Sequence, residues 1–457
     1  MVRISVEDLN FPKYDDEHVI NAWRWFMSFI SPNDWKKRKS IIEDRITLKF
    51  RETPPFSEPL TEGTLMNIKD DVIGWYLYLV DMIINEPHKY EFFQGARILP
   101  IFKRFGMDLH LVKEIDGIES KVKSLIKKRR SEADALLFEI LTALLWARNG
   151  YKVSFLDELE NMKTPDLIAE KSGRKFNIEC KRQSKTSDYT YRETAKRQKM
   201  VSYISEALMR KSLLLDIVFH VELEALADTY LVDLLAEKLK NPIAEKIISN
   251  NEVDITLSFI DIPRIRKHLE THFVKNHSPM LNYLIGQKPV DNKGFTSGIY
   301  ANFFRVGEGE VNNLYISDLS HAYGVYWDCD AKEALWAKAR DIRSQVNAAI
   351  KQFSQENTAV IHIGLETFEG PEVELTRFEK IQNTIENINP QDTSVRWIFC
   401  NFFQAYSPHN EDWAFDETQK TLTAYEVPVA PINITLMIAP VDDIENNISH
   451  WERPLPY

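Results

Sequence analysis

Cysteine is scarce in this chain. Three residues in 457 (Cys180, Cys329 and Cys400) lie far apart, which excludes a disulfide framework and a zinc ribbon and makes a reducing, cytoplasmic setting the expected one. No GxxxxGK[ST] is present, so the chain carries no P-loop motor, and GEGE at 307–310 has the wrong charge for phosphate. A GxSxG elbow and a Cys/His pair at protease spacing are also missing. No apolar run is long enough to cross a bilayer, and the opening MVRISVEDLN does not read as a signal peptide, so no membrane is expected among the partners. Positive charge is in deficit. The net charge of −11 argues against a surface that coats nucleic acid as a whole, and any such contact must use a local basic zone.

What remains is an ordinary globular composition, 44% hydrophobic and 27% charged, on a chain long enough for a large core and for more than one domain. Residues 1–125 read as a helical N-terminal region, with aromatic-rich segments such as INAWRWFMSFI and DVIGWYLYLVDMII. KVKSLIKKRRSEAD, 121–134, is a charged junction in which Ser131 and Asp134 are spaced as a capping box. Residues 131–440 read as one elaborated α/β domain whose core motif spans 131–210, and 441–457 as a tail. No repeat, low-complexity tract or long Gly/Ser linker interrupts it.

Within the core, ADALLFEILTALLWARNG predicts a helix that stops at Gly150, and YKVSFL a short strand. DLIAE, KSGR and KFNIECK predict a hairpin. On its second arm Phe176, Ile178 and Cys180 face one way, and Asn177, Glu179 and Lys181 the other. YRETAKRQKMVSYISEALMRK predicts one long helix. SLLLDIVFHVEL, EVDITLSFIDI, TAVIHIGLE, SVRWIFCNFFQAYS, TLTAYEV and INITLMIAP predict strands, with GIYANFFRV and NLYISDL as shorter ones. TYLVDLLAEKLKN and KEALWAKARDIRSQVNAAIKQF predict helices.

Chemistry concentrates in TPDLIAEKSGRKFNIECKR, 164–182. Asp166, Glu179 and Lys181 form the pattern PD-x12-E-C-K. Two carboxylates on adjacent strand positions offer the hard oxygen ligands that Mg2+ prefers, and a lysine two residues on points at the same place. The alternative is an ion-paired hairpin with no chemistry.

This pattern resembles the PD-(D/E)XK nuclease superfamily. The run FE (Phe138, Glu139), GYKV, PDLIA and IECKR is closest to Mrr-like domains, over under a fifth of the chain. The resemblance implies a restriction-endonuclease-like mixed sheet flanked by helices and a Mg2+-dependent nuclease, with Mn2+ as a substitute. DNA is the implied substrate, in restriction or defence against foreign DNA. It implies Asp166, Glu179, Lys181 and Glu139 as catalytic residues. Asp166, Glu179, Glu139 and the Cys180 carbonyl are the implied metal ligands, with the Cys180 thiol in the core.

From Lys181 to Lys211 there are nine Lys/Arg and three Asp/Glu, with tyrosines interleaved. Arg182, Lys185, Arg192, Lys196, Arg197 and Lys199 are therefore candidates for nucleic-acid contact, as is Gln198 by the resemblance. A solvated helix face is the competing reading. Lys36–Lys39 and Lys127–Arg130 are two more basic clusters, each read as a solvated turn, and His268 and His272 in HLETH are read as ordinary surface histidines. A homo-oligomer, or a protein partner supplying recognition or motor function, fits a nuclease of this kind. The alternatives kept open are an RNA-directed or structure-specific nuclease and a catalytically silent nucleic-acid-binding or assembly subunit.

Overall fold

A computed structural model of the chain describes residues 2–9, 11–52, 68–156, 164–183, 187–289, 294–339, 342–353, 357–366, 369–387, 393–423, 429–440 and 448–452. The strands are β1 (Val2–Ile4), β2 (Lys152–Phe155), β3 (Leu167–Lys171), β4 (Arg174–Gln183), β5 (Leu213–Phe219), β6 (Glu245–Ser249), β7 (Val253–Phe259), β8 (Val274–Lys275), β9 (Gly294–Val306), β10 (Leu314–Cys329), β11 (Thr358–Glu366), β12 (Val395–Tyr406) and β13 (Ala414–Thr423). They form two mixed sheets flanked by helices, an α/β architecture. Among the described residues no helix is long and apolar enough to cross a membrane.

One sheet has the order β13-β12-β11-β4-β3-β2. β2, β3 and β4 are an antiparallel meander, and β4 then pairs in parallel with β11, as β11 does with β12. The hairpin turn falls at Ser172 and Gly173, both at positive φ (51° and 77°), which suits the twist of a two-residue connection. The parallel step from β4 to β11 is not local. The chain between them first builds most of the other sheet, β1-β9-β10-β5-β7-β6 with β8 on β10.

The helix Ala133–Arg148 packs against β4, buried on nearly every side, with Leu136, Leu137, Ile140, Leu141, Leu144 and Leu145 in the core. Gly150 follows at φ 78°, the left-handed position that ends helices at low cost in glycine. Gly364 of β11 leaves room for the Phe138 ring; a Cβ there would lie 2.4 Å from it. The apolar faces of the N-terminal helices Glu17–Met27, Val72–Asn85, Phe92–Met107 and Ile118–Lys127 join this same core, so that region packs directly onto the sheet's helix.

Several local expectations change. Ser131 does not cap the helix: its cap position is Glu132, without a side-chain bond, and Asp134 instead accepts the Tyr76 hydroxyl at 2.6 Å. The long helix after the motif is two, Asp188–Ser202 and Ser205–Lys211, broken where Ile204 turns into the core. KEALWAKARDIRSQVNAAIKQF likewise gives Lys332–Lys338 and Arg343–Ile350. NLYISDL belongs to a 16-residue strand, β10, that pairs with three others. INITLMIAP forms no strand over 432–440. The amides of Met437, Ile438 and Ala439 donate to the buried carboxylate of Glu417 at 2.8–3.0 Å rather than to a ladder. TLTAYEV is strand only as far as Thr423, and its residues 424–427 lie outside the described residues. The helix Pro371–Glu386 and the edge strand β6 carry no sequence expectation.

Candidate metal and active site

β4 is buried from Phe176 to Cys180 because helices cover the sheet on both sides. Such strands are normally apolar throughout. Glu179 breaks that rule at 1% exposure, in the middle of the buried run. Its neighbours Ile178 and Cys180 enter the core with the helix Ala133–Arg148, as alternation requires. The Cys180 thiol is pushed well above its ordinary pKa by burial and by the charges of Asp166 and Glu139, so it is no nucleophile.

Leu167 pairs with Ile178, so the register continued by one residue sets Asp166 opposite Glu179. Directly opposed residues share a face. Asp166 also accepts the Cys180 amide at 2.8 Å. In a strand, the N–H and C=O of one residue point toward the same neighbour, so the Cys180 carbonyl faces the edge where β3 has ended.

Glu139 approaches from the helix. It is 7% exposed, and its carboxylate forms an ion pair with Lys121. Glu179 is paired with Lys181 through one oxygen, Oε1, and its buried Oε2 has no hydrogen-bond partner among the described residues. Burial, then the Asp166 charge, raise Glu139 to about 7, with Lys121 opposing. Burial and Asp166 likewise raise Glu179 to about 7 against Lys181, with Glu139 adding to the rise. Each acid feels the others, so Glu139, Asp166 and Glu179 form one cluster in which attraction to lysine does not offset burial and mutual repulsion.

The chain matches no family model, no curated protein and no solved structure.

Among the described residues no group of three or more His, Cys, Asp or Glu side chains is disposed to hold a metal ion. The ammonium groups of Lys121 and Lys181 lie on two of the acids instead. Asp166, Glu179 with an oxygen that no donor reaches, and the strand-edge Cys180 carbonyl are oxygen donors of the kind a hard cation takes.

The basic residues after the motif scatter. Arg182 points to the opposite face from Lys181. It bonds Glu366 at 2.9 Å, lies 4.9 Å from the Phe403 ring centroid and has a side chain 9% exposed, so it is not at a surface that nucleic acid reaches. Arg97 bonds the same Glu366 on both oxygens. Lys185 lies outside the described residues. On the helix Asp188–Ser202, Arg192 pairs with Glu224 and both Lys196 and Lys199 with Asp228, each at 2.6 Å. Arg197 lies 5.7 Å from the Trp327 ring centroid, and Gln198 is half-buried on the same helix. These partners belong to the segment that follows β5 and to β10, so the helix's cations are turned toward the inserted sheet. His268 and His272 stack on each other at 4.2 Å.

Lys121 is the site residue that sequence reasoning missed. It lies on a separate helix, and no motif connects it to Glu139.

Proposed function

We propose that the chain is a divalent-metal-dependent nuclease that hydrolyses phosphodiester bonds in DNA, on a restriction-endonuclease-like core. The reading rests on one observation: Glu139 from a helix, Asp166 from the bend before β3 and Glu179 from β4 act on one another beside Lys181, Glu139 and Glu179 buried and Asp166 half-buried, with a Glu179 oxygen left unbonded. The order helix, β2, β3, β4, helix supports the fold assignment.

Asp166, Glu179 and the Cys180 carbonyl would hold Mg2+ or Mn2+, with Glu139 as a further acid. Such an ion, when bound, lowers the pKa of a coordinated water and offsets charge on the phosphate. Lys181, once released from Glu179, orients the attacking oxygen or bonds the phosphate as charge builds up. Asp166 holds the Cys180 amide, and with it the strand edge that presents Glu179. Phe138, Leu137 and Leu141 keep the helix that carries Glu139 seated in the core.

A second reading has its own observation. The lysines already on the acids, and the lack of a three-ligand group among the described residues, fit a nucleic-acid-binding or assembly subunit without turnover. Incubating the purified chain with plasmid, linear and single-stranded DNA and RNA, in Mg2+, Mn2+ or EDTA, separates the readings. Metal-dependent cleavage of DNA supports the nuclease. Cleavage confined to RNA moves the substrate, and no cleavage of any substrate in either metal favours the silent subunit.

A further inference from the structure

Two lysines, not one, face the acids. Lys181 comes from β4 itself, and Lys121 from the helix Ile118–Lys127 of the N-terminal region. The Lys121 side chain is 16% exposed, paired with Glu139, and its ammonium lies 5.2 Å from the Phe155 ring centroid. Past the end of that helix, Arg129 bonds Glu132 at 2.6 Å, and its charge also bears on Glu139. Lys127 and Lys128 are exposed between them. Of the cations next to the acids, Lys181 comes from β4, and Lys121 and Arg129 come from the N-terminal side, whereas Arg192, Lys196 and Lys199 pair with Glu224 and Asp228.

Ile118, one turn before Lys121, and Leu125, one turn after it, are buried on the same side of the helix, and their packing holds the Lys121 ammonium at the acids. Formally, Glu139, Asp166 and Glu179 carry three negative charges and Lys121 and Lys181 two positive, which leaves one negative. With a dication bound the sum is one positive. A bound dication would compete with both ammonium groups for their carboxylates and would leave them for an anion, the nonbridging oxygens of a phosphodiester. Resting on the nuclease reading above, we propose that Lys121 is a second phosphate-contacting residue of the site and that the turn 127–129 continues the phosphate track. The DNA backbone then crosses the N-terminal helical region rather than the helix Asp188–Ser202.

The test uses the full chain, Ca2+ as the ion and a short duplex DNA as the probe, with intact DNA confirmed on a gel. Lys121→Met is expected to weaken duplex binding about tenfold and to reduce the salt slope by about one. Its calorimetric Ca2+ affinity stays equal or rises, because no lysine competes for Glu139. Lys121→Arg restores the slope. Lys127→Ser with Lys128→Ser, at exposed positions that leave the core alone, reduces the slope by about two, and decides the matter if Lys121→Met does not fold. Unchanged slopes in these variants overturn the inference. So does a fall in Ca2+ affinity in Lys121→Met, which would make the lysine a support for Glu139. A larger loss from Lys196→Ser with Lys199→Ser than from the 127/128 pair also overturns it. If Glu179→Gln leaves Ca2+ binding intact, the nuclease reading itself fails and takes this inference with it. If Glu179→Gln abolishes Ca2+ binding while the Lys121→Met slope is unchanged, only this inference fails.

Discussion

The carboxylate of Asp166 accepts a hydrogen bond from the backbone N–H of Cys180 at 2.8 Å. That bond lies just beyond the last ladder pair of β3 with β4, Leu167 with Ile178, and holds the two arms together where their pairing stops. It keeps the acid that precedes one strand beside the acid within the next.

Turnover should depend on that arrangement. Asp166→Ala, Glu179→Ala and Lys181→Ala are each expected to lower the cleavage rate by roughly two or more orders of magnitude, as loss of a preorganised charged group does. Folding, followed by circular dichroism, should persist in Asp166→Ala and Glu179→Ala, because relief of carboxylate repulsion offsets the lost contacts. Wild-type rates in Glu179→Ala would remove the enzyme reading.

The metal-free protein should be more stable in mild acid than at neutral pH. Glu139 and Glu179 are each raised from the usual carboxylate range to about 7. A carboxylate whose pKa is raised by folding contributes stability that is full below its unfolded value and is lost as pH rises through the folded one. The urea midpoint in EDTA should therefore fall between about pH 4.5 and pH 7. Glu179→Gln should flatten part of that fall, and a midpoint profile identical to the parent's would contradict the assignment.

Trp146 donates its indole N–H to Nε2 of His362 at 3.0 Å, with His362 fully buried and lowered by burial to about 3, hence neutral. Trp146→Phe removes the donor, leaves a buried acceptor unsatisfied and opens space beside Tyr151 and Phe176. A loss of about 2–4 kcal/mol is expected. Chemical denaturation measures it, and a change under about half a kcal/mol would show that the bond is not made.

His450 fastens the segment 448–452 onto the sheet. Its Nδ1 lies 2.8 Å from Glu374 and its Nε2 3.4 Å from Asp416. Burial pulls its pKa down, but the Asp416 and Glu374 carboxylates outweigh that and hold it up at about 9. A histidine raised by folding gives stability that is full below its unfolded pKa of about 6.5 and is lost as pH rises through about 9. Trp451 packs on Phe378 and Phe402, so its fluorescence reports the segment. Above about pH 9 the emission should shift red, and His450→Gln should show the shift already at pH 7. Emission independent of pH in both proteins would count against the latch.

Sequence alone determined the local geometry of the motif. Alternation placed Glu179 and Lys181 on one face of β4 because a strand has a period of two, and KSGR fixed the turn because Gly173 tolerates positive φ. The leucine-rich run of the helix Ala133–Arg148 and its stop at Gly150 were legible for the same kind of local reason. Where elements end was less so: Ile204 breaks a continuous helical pattern, and the carboxylate of Glu417 draws the amides of 437–439 out of a strand. Only the tertiary structure decided what each charge does. A lysine's pattern in sequence is the same whether it meets water, an acid or a phosphate. Packing turned Arg182 to Glu366 and Lys196 to Asp228, and brought Lys121 from another helix onto Glu139, because long-range burial selects the partner and sequence distance carries no record of it.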